Sequence, residues 1–237
     1  ERILAAKELA LFKKYIQKRL EGFSAAAIIG KKEFMGLTLK VNEQVLIPRP
    51  DTETWLEKVI QYYRNETGLK VADLGTGSGA ILVGFLYYCR DAVGVGVDIS
   101  TEALKIAEEN GQNLKITDRV EWRQGDYLKA FDEEDIFDGI FSNPPYIPTK
   151  DIGGLSREVK HEPRLALDGG TDGLYFYHLL AKGAAEHLKP GGFLAVEFGI
   201  GQATDILEMF RKSAQYEDFE VIKDYGGIER ALYCRKK

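Results

Sequence analysis

A chain of 237 residues that is 44% hydrophobic and 29% charged can bury a full core, and has the balance of a globular protein with one main domain and a small appendage. Its formal net charge of -5 argues against a protein whose affinity comes from neutralising many phosphates, while leaving room for a local basic patch. No apolar run approaches the ~18 residues that span a bilayer, and the first residues carry no secretory pattern. The two cysteines are far apart and the three histidines follow no zinc spacing, so the expectation is a cytoplasmic protein in a reducing compartment with no bound metal.

Residues 1–21 place Ile3, Leu4, Leu11, Phe12, Tyr15, Ile16 and Leu20 at helical spacing with Lys and Arg between them, which predicts an amphipathic helix. The pattern is already running at Glu1, so this helix is read as part of a longer helical region; Gly22 to Gly30 breaks it. Phe34, Leu37, Leu39 and Val41, then Val45 and Ile47, with Asn42-Glu43 between, read as a linking hairpin. Pro48 to Thr52 closes it, with Asp51 or Thr52 as the expected N-cap of a helix carrying Trp55, Leu56, Val59, Ile60 and Tyr63.

From Lys70 short apolar strands alternate with helices. Strands are expected at Val71 to Leu74, Val93 to Ile99, Val120 to Arg123, Phe137 to Phe141 and Phe193 to Phe198, and helices at Ile81 to Tyr88, Glu102 to Gly111, Tyr175 to Leu188 and Ala203 to Arg211. Strands that apolar are covered on both faces, which predicts an open, mainly parallel α/β sheet. Two further strands, near Phe219 to Ile222 and Ala231 to Cys234, are joined by a turn too short for a crossover helix. They form an antiparallel pair and bring the total to seven.

Three acids follow strand ends. Asp73-Leu74-Gly75-Thr76-Gly77-Ser78-Gly79 closes the first strand and opens a helix; its G-x-G-x-G spacing differs from the G-x-G-x-x-G that seats a dinucleotide pyrophosphate. Asp98 ends the second strand, where a carboxylate can accept both hydroxyls of a ribose, and Asp126-Tyr127 after the third offers an acceptor and a ring face to an adenine. Together Asp73, Asp98 and Asp126 are expected to make an acidic mouth suited to a cationic nucleoside without phosphate. S-adenosylmethionine has that composition.

The fourth strand ends in Asn143-Pro144-Pro145-Tyr146. Two prolines have fixed φ and no N–H, so the segment is a stiff turn carrying one side-chain amide, bare carbonyls and an aromatic plane. The Asn143 oxygen and the Pro144 carbonyl can accept from one planar NH2 group while Tyr146 lies against its plane, a description that fits a primary amide or an exocyclic amine. The long segment from Pro148 to Gly173 reads as a substrate-facing lid. Arg49 either sits over the site or orders its proline turn, and Glu197 either borders the cofactor or is a structural acid.

These motifs, with Val45-Leu46-Ile47-Pro48-Arg49-Pro50-Asp51-Thr52-Glu53, Glu162-Pro163-Arg164-Leu165-Ala166-Leu167, Gly169-Gly170, Asp172-Gly173 and Leu188-Lys189-Pro190-Gly191-Gly192, resemble the HemK/PrmC family of class I methyltransferases from about Ile28 onward. The resemblance implies a Rossmann-like class I methyltransferase fold at residues 51–237, a β-hairpin linker at 28–50 and, at 1–27, part of a helical substrate-docking domain. It implies methyl transfer from S-adenosylmethionine, leaving S-adenosylhomocysteine, to a glutamine side-chain amide of peptide chain release factors. Cofactor binding would fall to Asp73, Gly75, Thr76, Gly77, Ser78, Gly79, Asp98, Asp126, Tyr127 and Asn143, catalysis to Asn143, Pro144 and Tyr146, and substrate binding to these with Pro145 and Arg49. The segment Gly22 to Ala27 departs from the family in lacking its Glu-Pro pair.

An adenine N6-methyltransferase of DNA or RNA uses the same turn logic, and a glutamine of a ribosomal protein is another acceptor of the same chemistry. The acidic chain, with no second large domain to grip a duplex, disfavours nucleic acid as direct substrate. A nucleoside-binding module without chemistry and a dinucleotide oxidoreductase are disfavoured by the intact proline turn and by the glycine spacing.

Overall fold

The computed structural model describes residues 5–237; Ile3 and Leu4 of the expected first helix lie outside them. Helix α1 (Ala6–Glu21) ends at Gly22 in the left-handed conformation and buries none of its residues. Its C-terminal end is tied to the segment after residue 148. Arg157 donates to the Leu20 carbonyl at 2.8 Å, and Phe23 stacks on His161 with ring centroids 4.1 Å apart.

The expected break at 22–30 contains a short helix, α2 (Ala25–Ile29), because Ser24 accepts from the Ala27 N–H and so caps it. The hairpin is tighter than its apolar spacing suggested: β1 (Lys31–Phe34) pairs antiparallel with β2 (Leu37–Lys40) around Met35-Gly36. Both turn residues have positive φ, the twist that a two-residue hairpin loop requires. Residues 41–49 form no strand; Val41, Val45 and Ile47 instead pack on Ala103 and Ile106 of helix α5 (Thr101–Asn113).

Helix α3 (Pro50–Tyr63) has Arg49 as its N-cap, correcting the expectation of Asp51 or Thr52. Pro50 suits the first helical position because its φ is preset and its missing N–H needs no partner there. The side chains of Asp51 and Thr52 are drawn elsewhere, to Arg230 and Glu197.

The main sheet has seven strands in the order β5-β4-β3-β6-β7-β9-β8. Strands β3 (Lys70–Leu74), β4 (Val93–Asp98), β5 (Val120–Gln124), β6 (Phe137–Ser142) and β7 (Leu188–Glu197) are parallel, and β9 (Glu229–Lys236) runs antiparallel between β7 and β8 (Tyr216–Lys223). The sequence placed Leu188 at the end of a helix. Instead α6 (Tyr175–Gly183) stops earlier, and Leu188 opens β7 opposite Phe137, with a register irregularity before Phe193 meets Gly139.

Apolar strands need cover on both faces, and both are covered. Trp55 and Val59 of α3 with Leu82 and Phe85 of α4 (Ala80–Tyr88) pack on Val71, Phe141 and Phe193. Tyr177 and Leu180 of α6 with Ile206 and Phe210 of α7 (Ala203–Lys212) pack on Leu74, Ile140 and Leu194. The chain runs outward from β3 through β4 to β5, then returns to lay β6 on the other side of β3. That reversal opens a crevice at the carboxyl ends of β3 and β6, the position where open α/β sheets bind ligands.

Candidate active site

Two loops leave the sheet side by side at this crevice. Leu74 and Ser142 are register partners, and the Ser142 hydroxyl donates to the Leu74 carbonyl at 2.8 Å. The glycine loop and the proline turn therefore both begin one residue beyond the same rung of the ladder.

The glycine loop spends its amides inside the protein. Gly75 and Thr76 donate to the Val97 carbonyl, each at 2.9 Å, Gly77 donates to the Asp98 carboxylate at 2.8 Å, and Gly79 donates to the Thr76 carbonyl at 2.8 Å. Those N–H groups are unavailable to a phosphate. The cavity above the loop is lined by Gly75, Gly77, Asp98, Tyr127, Asn143 and Pro145, with apolar Ile99 and Leu165 also on its wall, and among the described residues no lysine or arginine lines it. One carboxylate, an aromatic ring and apolar walls fit a nucleoside that bears a cation and no phosphate.

The three acids do not share one mouth. Asp98 lies on the cavity; it accepts from the Gly77 and Ser100 amides, and burial nevertheless raises its pKa. Asp73 is fully buried beneath the loop, with Oδ2 accepting from the Thr76 hydroxyl at 2.6 Å and Oδ1 unpartnered. Burial pushes its carboxyl up to about 7, with the Thr76 hydrogen bond opposing and Asp98 reinforcing. Asp126 turns away to pair with Lys129 at 2.5 Å. A register of strand ends cannot show which way a side chain at the next residue points. Thr76 and Ser78 face a smaller hollow shared with Thr52 and Asn143, and Gly79 is buried as the residue capping α4.

The proline turn is held in a tight cage. An added Cβ at Gly169 would stand 2.7 Å from the Pro145 carbonyl oxygen, and one at Gly173 would stand 2.4 Å from that of Tyr146. Gln202 donates to the Tyr146 carbonyl at 3.1 Å, and Ile147 exchanges backbone hydrogen bonds with Leu167 and Gly169. The segment after Pro148 thus folds back on the turn through three 3-10 turns rather than hanging free.

A second cavity that Asn143 also lines is bounded by Arg49, Tyr146, Leu155 and Val159. Asn143, Leu46 and Ala166 line both cavities. Arg49 forms an ion pair at 2.6 Å with the buried Glu162, which also accepts from the Ile47 amide at 3.3 Å; burial raises Glu162's pKa and Arg49 opposes it. The residue lies at the site and also orders its own proline segment.

Asn110 and Gln202 have no mark in the sequence, and Glu197 is the acid whose place the sequence leaves open between the cofactor and a structural role. Asn110 is fully buried and joins three elements, accepting from the Lys40 amide at 2.6 Å while donating to the Lys40 and Ser78 carbonyls at 3.0 and 2.9 Å. Glu197 is 2% exposed and accepts from the Thr52 hydroxyl at 2.6 Å and from the Trp55 indole at 2.8 Å. An acid closing an otherwise apolar strand was the only signal for Glu197; nothing in the spacing marks Asn110 or Gln202.

Residues 65–215 match the model of a family described as a methyltransferase domain. A methyltransferase from Pyrococcus furiosus has the same fold, with a TM-score of 0.60 at 19% identity over 98% of this chain and 99% of that one. The family model and the fold together define a methyltransferase of class I architecture. Among curated relatives, the release factor glutamine methyltransferase of Bradyrhizobium diazoefficiens is 42% identical over 99% of this chain and 80% of its own length. That of Moorella thermoacetica is 40% identical over 100% and 83%. The chain belongs to the release factor glutamine methyltransferase family.

Proposed function

We propose that this enzyme transfers a methyl group from S-adenosylmethionine to the side-chain nitrogen of the glutamine in the Gly-Gly-Gln motif of peptide chain release factors. The observation that carries the reading is the place of Asn143, which lines both the nucleoside-type cavity and the cavity beside Arg49 and Tyr146. Neither its Oδ1 nor the Pro144 carbonyl accepts a hydrogen bond among the described residues. One free acceptor at that junction, with a second on the adjoining residue of the turn, suits the two hydrogens of a primary amide.

The first cavity suits S-adenosylmethionine, with Asp98 toward ribose hydroxyls and Tyr127 and Ile99 beside the base. When bound, the cofactor supplies an electrophilic methyl group. An amide nitrogen is a poor nucleophile because its lone pair is delocalised into the carbonyl. Holding both hydrogens on Asn143 Oδ1 and the Pro144 carbonyl lets the nitrogen pyramidalise, and the same acceptors stabilise the positive charge that develops on it. Tyr146 and the apolar wall of Leu155 and Val159 exclude water and orient the side chain, so that most of the acceleration comes from positioning. The methylated nitrogen loses its extra proton to water, and no general base is required.

The test is transfer of a labelled methyl group to a purified release factor, beside the same factor with its Gly-Gly-Gln glutamine changed to alanine. Label on the first alone supports the reading. Label on neither, or on nucleic acid or ribosomal protein instead, refutes the acceptor.

A further inference from the structure

An asparagine can serve as an acceptor only if its amide is the right way round. Oxygen and nitrogen of the group are nearly the same size, so packing alone does not set the orientation. At Asn143 a flip would present NH2 to the substrate's NH2, replacing an attraction with a repulsion between donors. Something in the protein must forbid it.

The hydrogen bonds behind Asn143 run in one direction only. Trp55 Nε1 can only donate, and it donates to Glu197 Oε2 at 2.8 Å. The Thr52 hydroxyl gives its single hydrogen to the same oxygen at 2.6 Å. Having spent that hydrogen, Thr52 Oγ1 can only accept, and it lies 3.4 Å from Asn143 Nδ2. An acceptor beside the amide holds its NH2 end, which turns Oδ1 toward the cavities. The three supports come from α3 and the end of β7, both packed in the core: Thr52, Trp55 and Glu197 are 2%, 0% and 2% exposed. The bond to Asn143 is long, so its role is to choose between two orientations rather than to add stability. Burial raises the Glu197 pKa, and the hydrogen bonds from Thr52 and Trp55 oppose that rise. Nothing cationic touches the carboxylate among the described residues, so its use is as an acceptor that polarises Thr52.

We propose that Thr52 and Glu197 are positioning residues that fix the amide of Asn143 with its oxygen toward the substrate nitrogen, through the one-way relay Asn143 to Thr52 to Glu197. This rests on Asn143 being the acceptor of a substrate hydrogen, and the experiment separates the two claims.

Methyl transfer to a release factor is measured for the wild type, Thr52→Ser, Thr52→Val, Asn143→Ala and the Thr52→Val/Asn143→Ala double variant, with S-adenosylmethionine affinity measured alongside. Thr52→Ser keeps the relay and stays within about threefold of wild-type kcat. Thr52→Val keeps the shape, removes the acceptor, and lowers kcat at least tenfold with cofactor affinity within about twofold. In the Asn143→Ala background Thr52→Val has no further effect, because no amide remains to orient; a merely structural threonine would cost as much there as in the wild type. Equal costs in the two backgrounds, or a Thr52→Val enzyme with more than half of wild-type kcat, overturn the proposal. Asn143→Ala retaining full activity overturns the reading of Asn143 itself. If Thr52→Val does not bind cofactor, Thr52→Ala is put through the same cycle and read by the same criteria.

Discussion

Gly75→Ala tests whether Tyr127 is fixed against the glycine loop as the structure has it. Gly75 has φ +73, and an added Cβ would lie 2.9 Å from Tyr127 Oη and 3.4 Å from Cζ. The ring cannot retreat freely, since it stacks on Phe176 at 4.6 Å between centroids. The left-handed backbone costs an alanine about 1 kcal/mol, and displacing a packed ring adds roughly 1–3 kcal/mol. Gly77 supplies the control: its φ is +56, but nothing lies within 4 Å of an added Cβ, so Gly77→Ala carries the backbone cost alone. At roughly 2–4 °C per kcal/mol for a chain of this size, Gly75→Ala should melt roughly 4–16 °C below wild type and Gly77→Ala roughly 2–4 °C below. Because Gly75 and Tyr127 both line the nucleoside-type cavity, Gly75→Ala should also weaken S-adenosylmethionine binding tenfold or more, about 1.4 kcal/mol. Adding Tyr127→Phe removes the nearest atom and should recover about half of the lost melting temperature. The assays are calorimetry of the free protein and titration with cofactor. Melting points for the two alanine variants within about 2 °C of each other would show that Tyr127 moves without cost, and the reasoning would fail.

Asn143→Ala should lower methyl transfer by roughly 10² to 10³ while leaving cofactor affinity within about threefold, since it removes one preorganised acceptor and neither Asp98 nor the glycine loop; initial rates and cofactor titration check both. Asp73 binds its proton more tightly folded, at about 7, than unfolded near 3.8, so its stabilising contribution is complete below about pH 4 and is lost as pH rises toward 7. Thermal melts of the unliganded protein from pH 4 to 8 should therefore decline less steeply for Asp73→Asn than for wild type. Asn110→Ala strands the Lys40 amide and the Ser78 carbonyl and should cost on the order of 2–4 kcal/mol in chemical denaturation, with weaker cofactor binding as the loop loosens. Arg49→Met leaves Glu162 without its ion-pair partner at the second cavity; the KM for release factor should rise about tenfold with cofactor affinity unchanged, as expected when a contact on the substrate side alone is lost.

What the residues reveal by themselves are features that local physics settles. Apolar runs of strand length between helical periodicities require a covered parallel sheet, and β3 to β7 form one. The short link before Ala231 requires an antiparallel pair, and β8 and β9 supply it. Two successive prolines after Asn143 require a stiff turn whatever surrounds them. Where a neighbour in sequence competes for a position, local reading falters. Pro50 displaces the cap from Thr52 to Arg49, and the positive-φ pair Met35-Gly36 closes the hairpin before the apolar alternation runs out.

Only the tertiary structure decides where polar side chains point, because a buried donor or acceptor takes its partner from whatever element the fold brings within about 3 Å. Asp73, Asp98 and Asp126 are equivalent in sequence as acids at strand ends, yet the first is sealed under the loop, the second faces the cavity, and the third turns to Lys129. Thr52 and Glu197 are 145 residues apart and meet behind Asn143, and Asn110 reaches Lys40 across 70. Periodicity describes faces of elements and glycine or proline describes backbone; neither carries information about a hydrogen bond between elements that only the packed sheet makes neighbours.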